Sequence, residues 1–415
     1  MSKIRIKNFG PIKEGFQEND GWMEVKKVTV FIGNQGSGKS TVAKVISTLS
    51  WLEKALNRGD SIWIHNRLDF QNYFEYQGLK GYFKKDTIIE YHGNSCSILY
   101  SLDELENNPD KKTLNYTPSI YIVPKIMYVP AERNFLTVIK NATGVRGLPP
   151  PLFEFAEELK RGQFESKGKE IPLPINDVYY KYDEESDSSF IIGKDFNINL
   201  LVASSGFQSL VPLFLVSLSL GLIVKNGSEI TPDNISVDQS IRMNAQISKI
   251  MSNNAFNDEE KIQKANEIRA KFQNKAFINI VEEPEQNLFP SSQRQILNSL
   301  LEFNNMSEGN KLIMTTHSPY IINYLNIAIQ GAYLMDKIKD STNREALTEK
   351  LNKIVPADAV VSVKDTVIYQ LDETLGTITR LPAPEGIPSD KNYLNQSIAE
   401  GNRLFDALLE IEEEL

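Results

Sequence analysis

The chain has 415 residues, of which 41% are hydrophobic and 24% are charged, a globular balance with enough material for two or three structural units. Its 54 acidic and 45 basic side chains give a net charge of −9, which excludes a general polyanion binder and allows only a local basic patch for nucleic acid. The single cysteine, Cys96, excludes an internal disulfide framework and fits a reducing compartment.

The N-terminal residues contain no apolar core of a signal peptide. The longest apolar run, residues 211–224, is shorter than the roughly 18–20 residues that span a bilayer. We interpret it as a buried helix and expect a cytoplasmic protein without a membrane segment.

In chain order, alternating apolar residues predict strands at residues 3–8 and 25–33. Apolar residues at helical spacing then run from Val42 to Leu56 and predict a helix that ends near Gly59. Strands and turns are predicted up to residue 125. Residues 139–200 are rich in glycine, proline and acidic side chains, which indicates an irregular inserted lobe.

The second half predicts a helix at 206–224 and a helical hairpin at 236–274, in which Asn257 and Glu260 form a capping pair. Strand, helix and strand follow. Strands that alternate with helices around a glycine loop indicate an α/β fold. The predicted units are an N-terminal lobe (1–135), the inserted lobe (136–202), a segment with the long helix and hairpin (203–335), and C-terminal strands with a closing helix (336–415).

The glycine loop matches G-x-x-x-x-G-K-[ST] between a predicted strand and a predicted helix, the context that this motif requires. Its backbone N–H groups would surround phosphate oxygens, Lys39 would contact the β and γ phosphates, and Ser40 would bind Mg²⁺. The predicted ATP-binding residues are Gly33, Asn34, Gln35, Gly36, Ser37, Gly38, Lys39, Ser40 and Thr41.

A second motif is the apolar run 278–281, which ends in two carboxylates. Glu282 would hold Mg²⁺, and Glu283 would orient or deprotonate the attacking water. The alternative is a buried strand that ends in a solvated acidic turn.

A third motif ends the predicted strand at Thr316 and places His317 at the edge of the sheet where ligands bind. There an imidazole would contact the γ-phosphate or the water. The alternative is a surface histidine or one with satisfied hydrogen bonds, the interpretation that we favour for His65 and His92.

A fourth motif, "ASSGFQS" at residues 203–209, starts the long apolar helix, and such an N-terminus is a phosphate site. A second phosphate site is hard to use within one chain, but it is easy to use across the interface of a dimer. The alternative is a simple serine N-cap.

These four motifs in this order resemble an ATPase of the ATP-binding-cassette class, in its SMC/RecF-like branch. The resemblance implies a P-loop ATPase head with a mixed β-sheet, flanking helices and the hairpin as an insertion, and it implies ATP and Mg²⁺ as cofactors. It places Ser205, Gly206 and Gln208 on the signature motif that acts in trans, Glu282 and Glu283 on Walker B, Asn287 on the D-loop and His317 on the switch histidine.

The stretch "MYVPAERNFL", residues 127–136, resembles a segment of ATPases related to the overcoming-lysogenisation-defect (OLD) proteins. That group commonly occurs in bacterial phage defence beside a nuclease or toxin, for example in PARIS, abortive-infection and retron-linked systems. No aspartate-x-aspartate set follows His317, so we expect no nuclease domain.

This sequence departs from the family pattern in several places. Phe207 replaces the second signature glycine, and 77 positions separate Ser205 from Glu282. The Q-loop glutamine is unassigned, with Gln71 and Gln77 as candidates. For Arg133 we expect a structural salt bridge.

The resemblance implies a switch ATPase that works as a homodimer or a ring of dimers, with an effector protein and a phage trigger as partners. The main alternative is a RecF-like ATPase that clamps DNA, for which the basic candidates are Lys80, Lys84, Lys85, Lys111 and Lys112. A transporter subunit would have a regular signature. A small-molecule kinase would need neither the signature serines nor the histidine.

Overall fold

The computed structural model describes residues 2–60, 67–101, 114–116, 121–227 and 237–413. The strands in these ranges are β1 (Ser2–Phe9), β2 (Gly15–Phe16), β3 (Met23–Val25), β4 (Val28–Gly33), β5 (Phe83–His92), β6 (Cys96–Tyr100), β7 (Leu114–Tyr116), β8 (Pro124–Val129), β9 (Glu170–Pro172), β10 (Tyr179–Asp183), β11 (Ser188–Ile192), β12 (Asn197–Asn199), β13 (Ala276–Glu282), β14 (Lys311–Thr316), β15 (Thr366–Leu371) and β16 (Thr377–Arg380).

The α-helices in the same ranges connect and cover these strands. They are α1 (Lys39–Arg58), α2 (Arg67–Tyr73), α3 (Pro150–Glu165), α4 (Ser205–Lys225), α5 (Val237–Met251), α6 (Asp258–Phe272), α7 (Pro290–Asn305), α8 (Pro319–Ile338), α9 (Arg344–Asn352) and α10 (Tyr393–Glu413).

The central sheet has seven strands in the order β2-β16-β15-β4-β14-β13-β8. The five strands from β15 to β8 are parallel, whereas β16 is antiparallel to β15, so the predicted mixed α/β sheet is confirmed. Parallel strands end at the same edge of a sheet. The glycine loop after β4, Glu282 at the end of β13 and Thr316 at the end of β14 therefore converge.

Alternate residues of the central strands enter two cores on opposite faces of the sheet. In β4, Val28, Val30 and Ile32 join one core, and Phe31 joins the other. Side chains of α4, α7 and α8 fill the first core. Side chains of α1 and of the antiparallel sheet β3-β1-β5-β6-β7 fill the second. Both faces are thus covered, which explains why these strands are apolar throughout.

The prediction of an irregular lobe at residues 139–200 is wrong. This segment forms α3 and a four-stranded antiparallel sheet in the order β12-β11-β10-β9. Phe155, Tyr180 and Ile191 are fully buried in the same core as α4. The strands have only three to five residues each, so their apolar alternation is interrupted by turns before a pattern is established.

The predicted hairpin at 236–274 is confirmed as α5 and α6, although residue 236 lies outside the described residues. The predicted capping pair is also confirmed, because the Asn257 and Glu260 side chains each accept a hydrogen bond from the other residue's backbone N–H. Met243 and Phe272 form a small core between the two helices.

The hairpin is attached to the C-terminal end of α1. Asp60 accepts a salt bridge from Arg58 at 2.7 Å and another from Arg242 of α5 at 3.5 Å. Gln246 of α5 donates to the backbone carbonyl of Arg58 at 3.0 Å. The hairpin therefore contacts the same helix that begins at the glycine loop.

The C-terminal helix α10 does not close on the core, contrary to prediction. None of its side chains is fully buried. Only its first turn is attached, where the backbone N–H of Tyr393 donates to Gln370 at 3.1 Å and Leu394 packs against the first core. The amphipathic pattern predicted the helix correctly, but it could not show whether the apolar face is covered within the chain.

Helix α4 is the predicted apolar helix. Among the described helices it alone is long and apolar enough to cross a membrane by length and composition, and 67% of that stretch is buried inside the protein. The prediction of a buried helix is therefore confirmed.

Candidate active site

The glycine loop has a backbone that other residues could not adopt at two positions. Gly33 has φ 150°, and a Cβ there would lie 2.4 Å from the carbonyl oxygen of Leu371. Gly38 has φ 99°, and a Cβ there would lie 2.6 Å from the side chain of Ile12. Glycine at these positions lets the loop turn tightly between β4 and α1, which confirms the predicted strand–loop–helix context.

Lys39 is buried, and its Nζ donates to the carbonyl oxygens of Gly33 at 2.9 Å and Asn34 at 2.8 Å. Burial lowers the pKa of this ammonium to about 8, although the carboxylates of Glu283 and Glu285 raise it. The loop thus holds one cation among several carboxylates. The oxygen atoms of a bound triphosphate would pair with the Lys39 ammonium.

Oxygen atoms suited to Mg²⁺ lie at the same edge of the sheet. Ser40 is exposed in the first turn of α1, and the buried Oε1 of Glu282 has no hydrogen-bond partner. The described residues contain no group of three His, Cys, Asp or Glu side chains that could hold a metal alone. This donor set fits Mg²⁺, which takes one or two protein oxygens and completes its shell with phosphate and water.

Glu283 lies directly opposite His317, with 3.5 Å between Oε1 and Nε2. The hydrogen bond from His317 lowers the pKa of the Glu283 carboxyl below its ordinary value, so it is ionised at neutral pH. The Glu283 backbone has φ 45°, which is uncommon for a residue with a Cβ, and its N–H donates to the Thr315 carbonyl at 2.9 Å. The turn therefore aims this carboxylate at the ligand edge of the sheet.

Glu285 is a site residue that the sequence did not single out. Its carboxylate accepts hydrogen bonds from the Thr316 hydroxyl at 2.8 Å and from the His317 backbone N–H at 2.7 Å. Burial raises the pKa of this carboxyl above its ordinary value. Glu285 fixes the backbone of His317 relative to the acidic turn. The only sequence signal was a third acid two positions after Glu283.

Arg133 does not form the expected salt bridge. Its guanidinium is fully buried and donates to backbone carbonyls instead: Glu282 at 2.7 Å, Glu283 at 2.6 Å, Ser209 at 3.1 Å and Pro130 at 3.3 Å. Burial lowers the pKa of Arg133 to about 10. One side chain thus joins the acidic turn to the helix that carries the signature serines. Five N–H donors in one plane make this possible, whereas a lysine ammonium has three donors on a single nitrogen.

The signature serines lie at the exposed N-terminus of α4. Ser204 occupies the N-cap position, but its side chain makes no capping hydrogen bond, so simple capping does not explain these serines. In the described residues, no hydrogen bond or ion pair joins Ser204 or Ser205 to the glycine loop. The helix end and its two hydroxyl groups are left open to an outside ligand.

Behind these serines, the helix is fixed to the D-loop. A Cβ on Gly206 would lie 3.1 Å from the carbonyl oxygen of Asn287, and the Asn287 amide donates to the Ser209 hydroxyl at 2.9 Å. Gln208 donates to the carbonyls of Leu200 and Leu201 at 3.2 and 3.0 Å. Gln208 thus holds the preceding turn in addition to any contact with a ligand.

Neither Q-loop candidate contacts the acidic turn or the glycine loop. Gln71 donates to the hydroxyl of Tyr100, and Gln77 donates to that of Ser47, two turns along α1 from Lys39. The segment that follows β8 does reach the site, where the N–H of Ala131 donates to Glu282 at 3.3 Å.

Other sequence candidates lie away from this edge or outside the described residues. His92 packs edge-on against Trp22, as expected of a satisfied histidine. Lys80 pairs with a neighbouring glutamate, and Lys84 donates to a backbone carbonyl. Outside the described residues lie His65, Lys111 and Lys112.

Residues 151–322 match the family model described as AAA ATPase domain. This part of the chain is therefore similar to an ATPase domain. It includes helix α4, the acidic turn and His317, and it begins after the glycine loop. A search of the curated proteins found no match.

Solved structures similar to this chain include two SMC heads and one ATP-binding cassette. The SMC head domain from Thermotoga maritima is 12% identical with a TM-score of 0.37, over 92% of this chain and 97% of the other. An SMC head bound to the C-winged helix domain of ScpA is 12% identical with a TM-score of 0.30, over 91% and 96%. A dimeric post-hydrolysis ATP-binding cassette with ADP and Pi is 13% identical with a TM-score of 0.31, over 91% and 96%. Likeness at these scores decides neither fold nor function, which rest on the geometry above.

Proposed function

We propose that the protein is an ATP-hydrolysing switch that dimerises around ATP and controls a partner effector. One observation carries this proposal. A phosphate loop with an ionised Glu283 faces one edge of the sheet, while a second phosphate-binding helix end, at Ser204 and Ser205, is exposed and has no contact with that loop. When two chains face each other, the glycine loop of each chain can meet the N-terminus of α4 of the other chain.

Within one chain, the loop N–H groups and Lys39 bind the β and γ phosphates. Ser40 and Glu282 would hold Mg²⁺, which neutralises charge on the phosphate oxygens when bound. Glu283 orients the attacking water and accepts its proton, because its lowered pKa keeps it ionised. His317 contacts the γ-phosphate or the same water, and Glu285 holds the backbone of His317 in place.

Across the dimer, Ser205 and Gly206 of the second chain cover the γ-phosphate. ATP then holds the two chains together, and its hydrolysis releases them. We infer that this cycle reports to a nuclease or toxin of an anti-phage system. The support is the resemblance of residues 127–136 to OLD-related ATPases, together with the hairpin, where Ile241 and Ile262 are exposed apolar side chains that a partner could cover.

A mixing experiment tests the site in trans. Lys39→Ala removes the loop cation, and Ser205→Arg blocks the signature helix, so each variant alone loses ATP turnover. In a mixed dimer, one of the two sites combines an intact loop with an intact helix. A one-to-one mixture should therefore recover about a quarter of wild-type turnover, because about half the dimers are mixed and each has one working site.

Ser186→Arg is the matched control, since Ser186 is an equally exposed serine in the turn between β10 and β11. It should hydrolyse ATP at the wild-type rate. If the mixture is as inactive as its components, the composite site is wrong. If Ser205→Arg alone is active, the signature helix has no role in hydrolysis.

A further inference from the structure

Helix α10 presents an apolar face that nothing in the described chain covers. Its large apolar side chains are between 43% and 63% exposed, a group that comprises Ile398, Leu404, Phe405, Leu408, Leu409 and Ile411. A monomeric protein rarely leaves such a continuous apolar face in water.

The spacing places most of these residues on one stripe. Ile398, Gly401, Phe405 and Leu408 follow one another at intervals of three, four and three residues, and Leu404 and Ile411 flank them. This interval pattern is that of a seam between two packed helices. The glycine in the middle lets a large side chain of a facing helix approach closely.

The charges on α10 determine which partner and which direction fit. Glu410, Glu412 and Glu413 crowd its C-terminal end, whereas no charged residue occurs between residues 393 and 399. A parallel pair would place the acidic ends of two helices side by side. An antiparallel pair places each acidic end against the uncharged, positively polarised N-terminal end of the other helix.

We propose that α10 pairs antiparallel with α10 of a second copy of this chain. In the register that aligns the stripes, Ile398 faces Ile411 of the second copy, and Leu404 faces its Phe405. Gly401 faces Leu408, so a small residue meets a large one. The same register brings Arg403 beside Asp406 of the second copy, twice over by symmetry.

This interface is distinct from the ATP-dependent one, because it needs no nucleotide and lies on a helix attached only by its first turn. A chain with two separate symmetric interfaces assembles beyond a dimer when both are occupied. The α10 pair would therefore link ATP-clamped dimers to one another.

Light scattering on the full-length protein without nucleotide tests this inference apart from ATPase function. The wild type should be a dimer, and Leu404→Asp with Leu408→Asp should be a monomer. Ile262→Asp is the matched control, because Ile262 is a similarly exposed apolar residue on the hairpin. That control should stay dimeric. A monomeric wild type, or loss of the dimer in the control, would overturn the proposal.

A charge exchange distinguishes self-pairing from another partner. Arg403→Asp should raise the dissociation constant of the nucleotide-free dimer roughly tenfold. The substitution places two acidic side chains side by side at each of the two symmetric 403–406 contacts. Adding Asp406→Arg to the same chain restores both pairs and should restore the wild-type dissociation constant. If the exchange fails to restore it, the antiparallel register is wrong. Lys39→Ala should leave this dimer unchanged, so a failed switch and a failed α10 pair give different results.

Discussion

The two parts of this protein that we predict to bind phosphate differ in how complete they are within one chain. Lys39 of the glycine loop is buried and already hydrogen-bonded, and the acidic turn beside it is fixed by Arg133. Ser204 and Ser205 are exposed, and the N-cap side chain makes no capping bond. The glycine loop and acidic turn are therefore fully assembled within one chain, whereas the N-terminus of α4 is left open.

The largest expected effect comes from a substitution in the glycine loop, the part that is complete within one chain. Lys39→Ala removes the cation that contacts the phosphates and should lower ATP turnover about 10³-fold. Lys44→Ala is the matched control one turn later on α1, and it should keep turnover within about twofold. Steady-state phosphate release measures both variants. Equal losses in the two would mean that damage to α1, rather than charge loss, explains the effect.

Glu283→Gln tests the hydrolysis step separately from ATP binding. The amide keeps the shape but does not accept the proton, so the turnover number should fall about 10²-fold or more while ATP still binds. When Leu404→Asp and Leu408→Asp are also present to remove the α10 pair, the trapped dimer should appear in light scattering as a doubling of mass on addition of ATP and Mg²⁺. Unchanged turnover in this variant would remove Glu283 from the mechanism.

Arg133→Lys tests the connection between the two halves. Lysine keeps the charge but offers one compact donor group, so several buried carbonyls lose their partner. We expect the free energy of unfolding to fall by about 1–3 kcal/mol and the turnover number to fall about tenfold. Urea unfolding and kinetics at low temperature, where the variant stays folded, separate these effects. Turnover at the wild-type level in the folded variant would show that the connection is only structural.

The smallest expected effect is the pH dependence of ATP affinity. Binding a polyanion favours the protonated form of Lys39, whose pKa is about 8 in the free protein. The dissociation constant of ATP should be flat below pH 8 and should rise towards tenfold per pH unit above it, because the lysine must first regain its proton. Lys39→Arg should abolish this rise, since arginine stays charged. Fluorescence titration with a labelled ATP analogue measures both.

The sequence predicted β4, β13 and β14 well because each is buried on both faces and ends in a recognisable motif. The antiparallel lobe was missed, since in β10 only Tyr180 and Tyr182 point inward between polar neighbours. The roles of Glu285 and Arg133 were also missed. Their partners include backbone atoms at sequence distances of 32 and about 150 residues, and no local pattern reports such contacts.

The hairpin of α5 and α6 has a mechanical consequence through its attachment at Asp60. The loop between its helices begins about 9 to 15 Å beyond the contact residues Gln246 and Arg242, so a tilt of about 10° at the attachment point would move that loop by about 2 Å. The attachment point is the far end of the helix that starts at Lys39. A tilt of α1 would therefore displace the hairpin loop, so the contacts at Asp60 and Arg58 link the glycine loop mechanically to the hairpin.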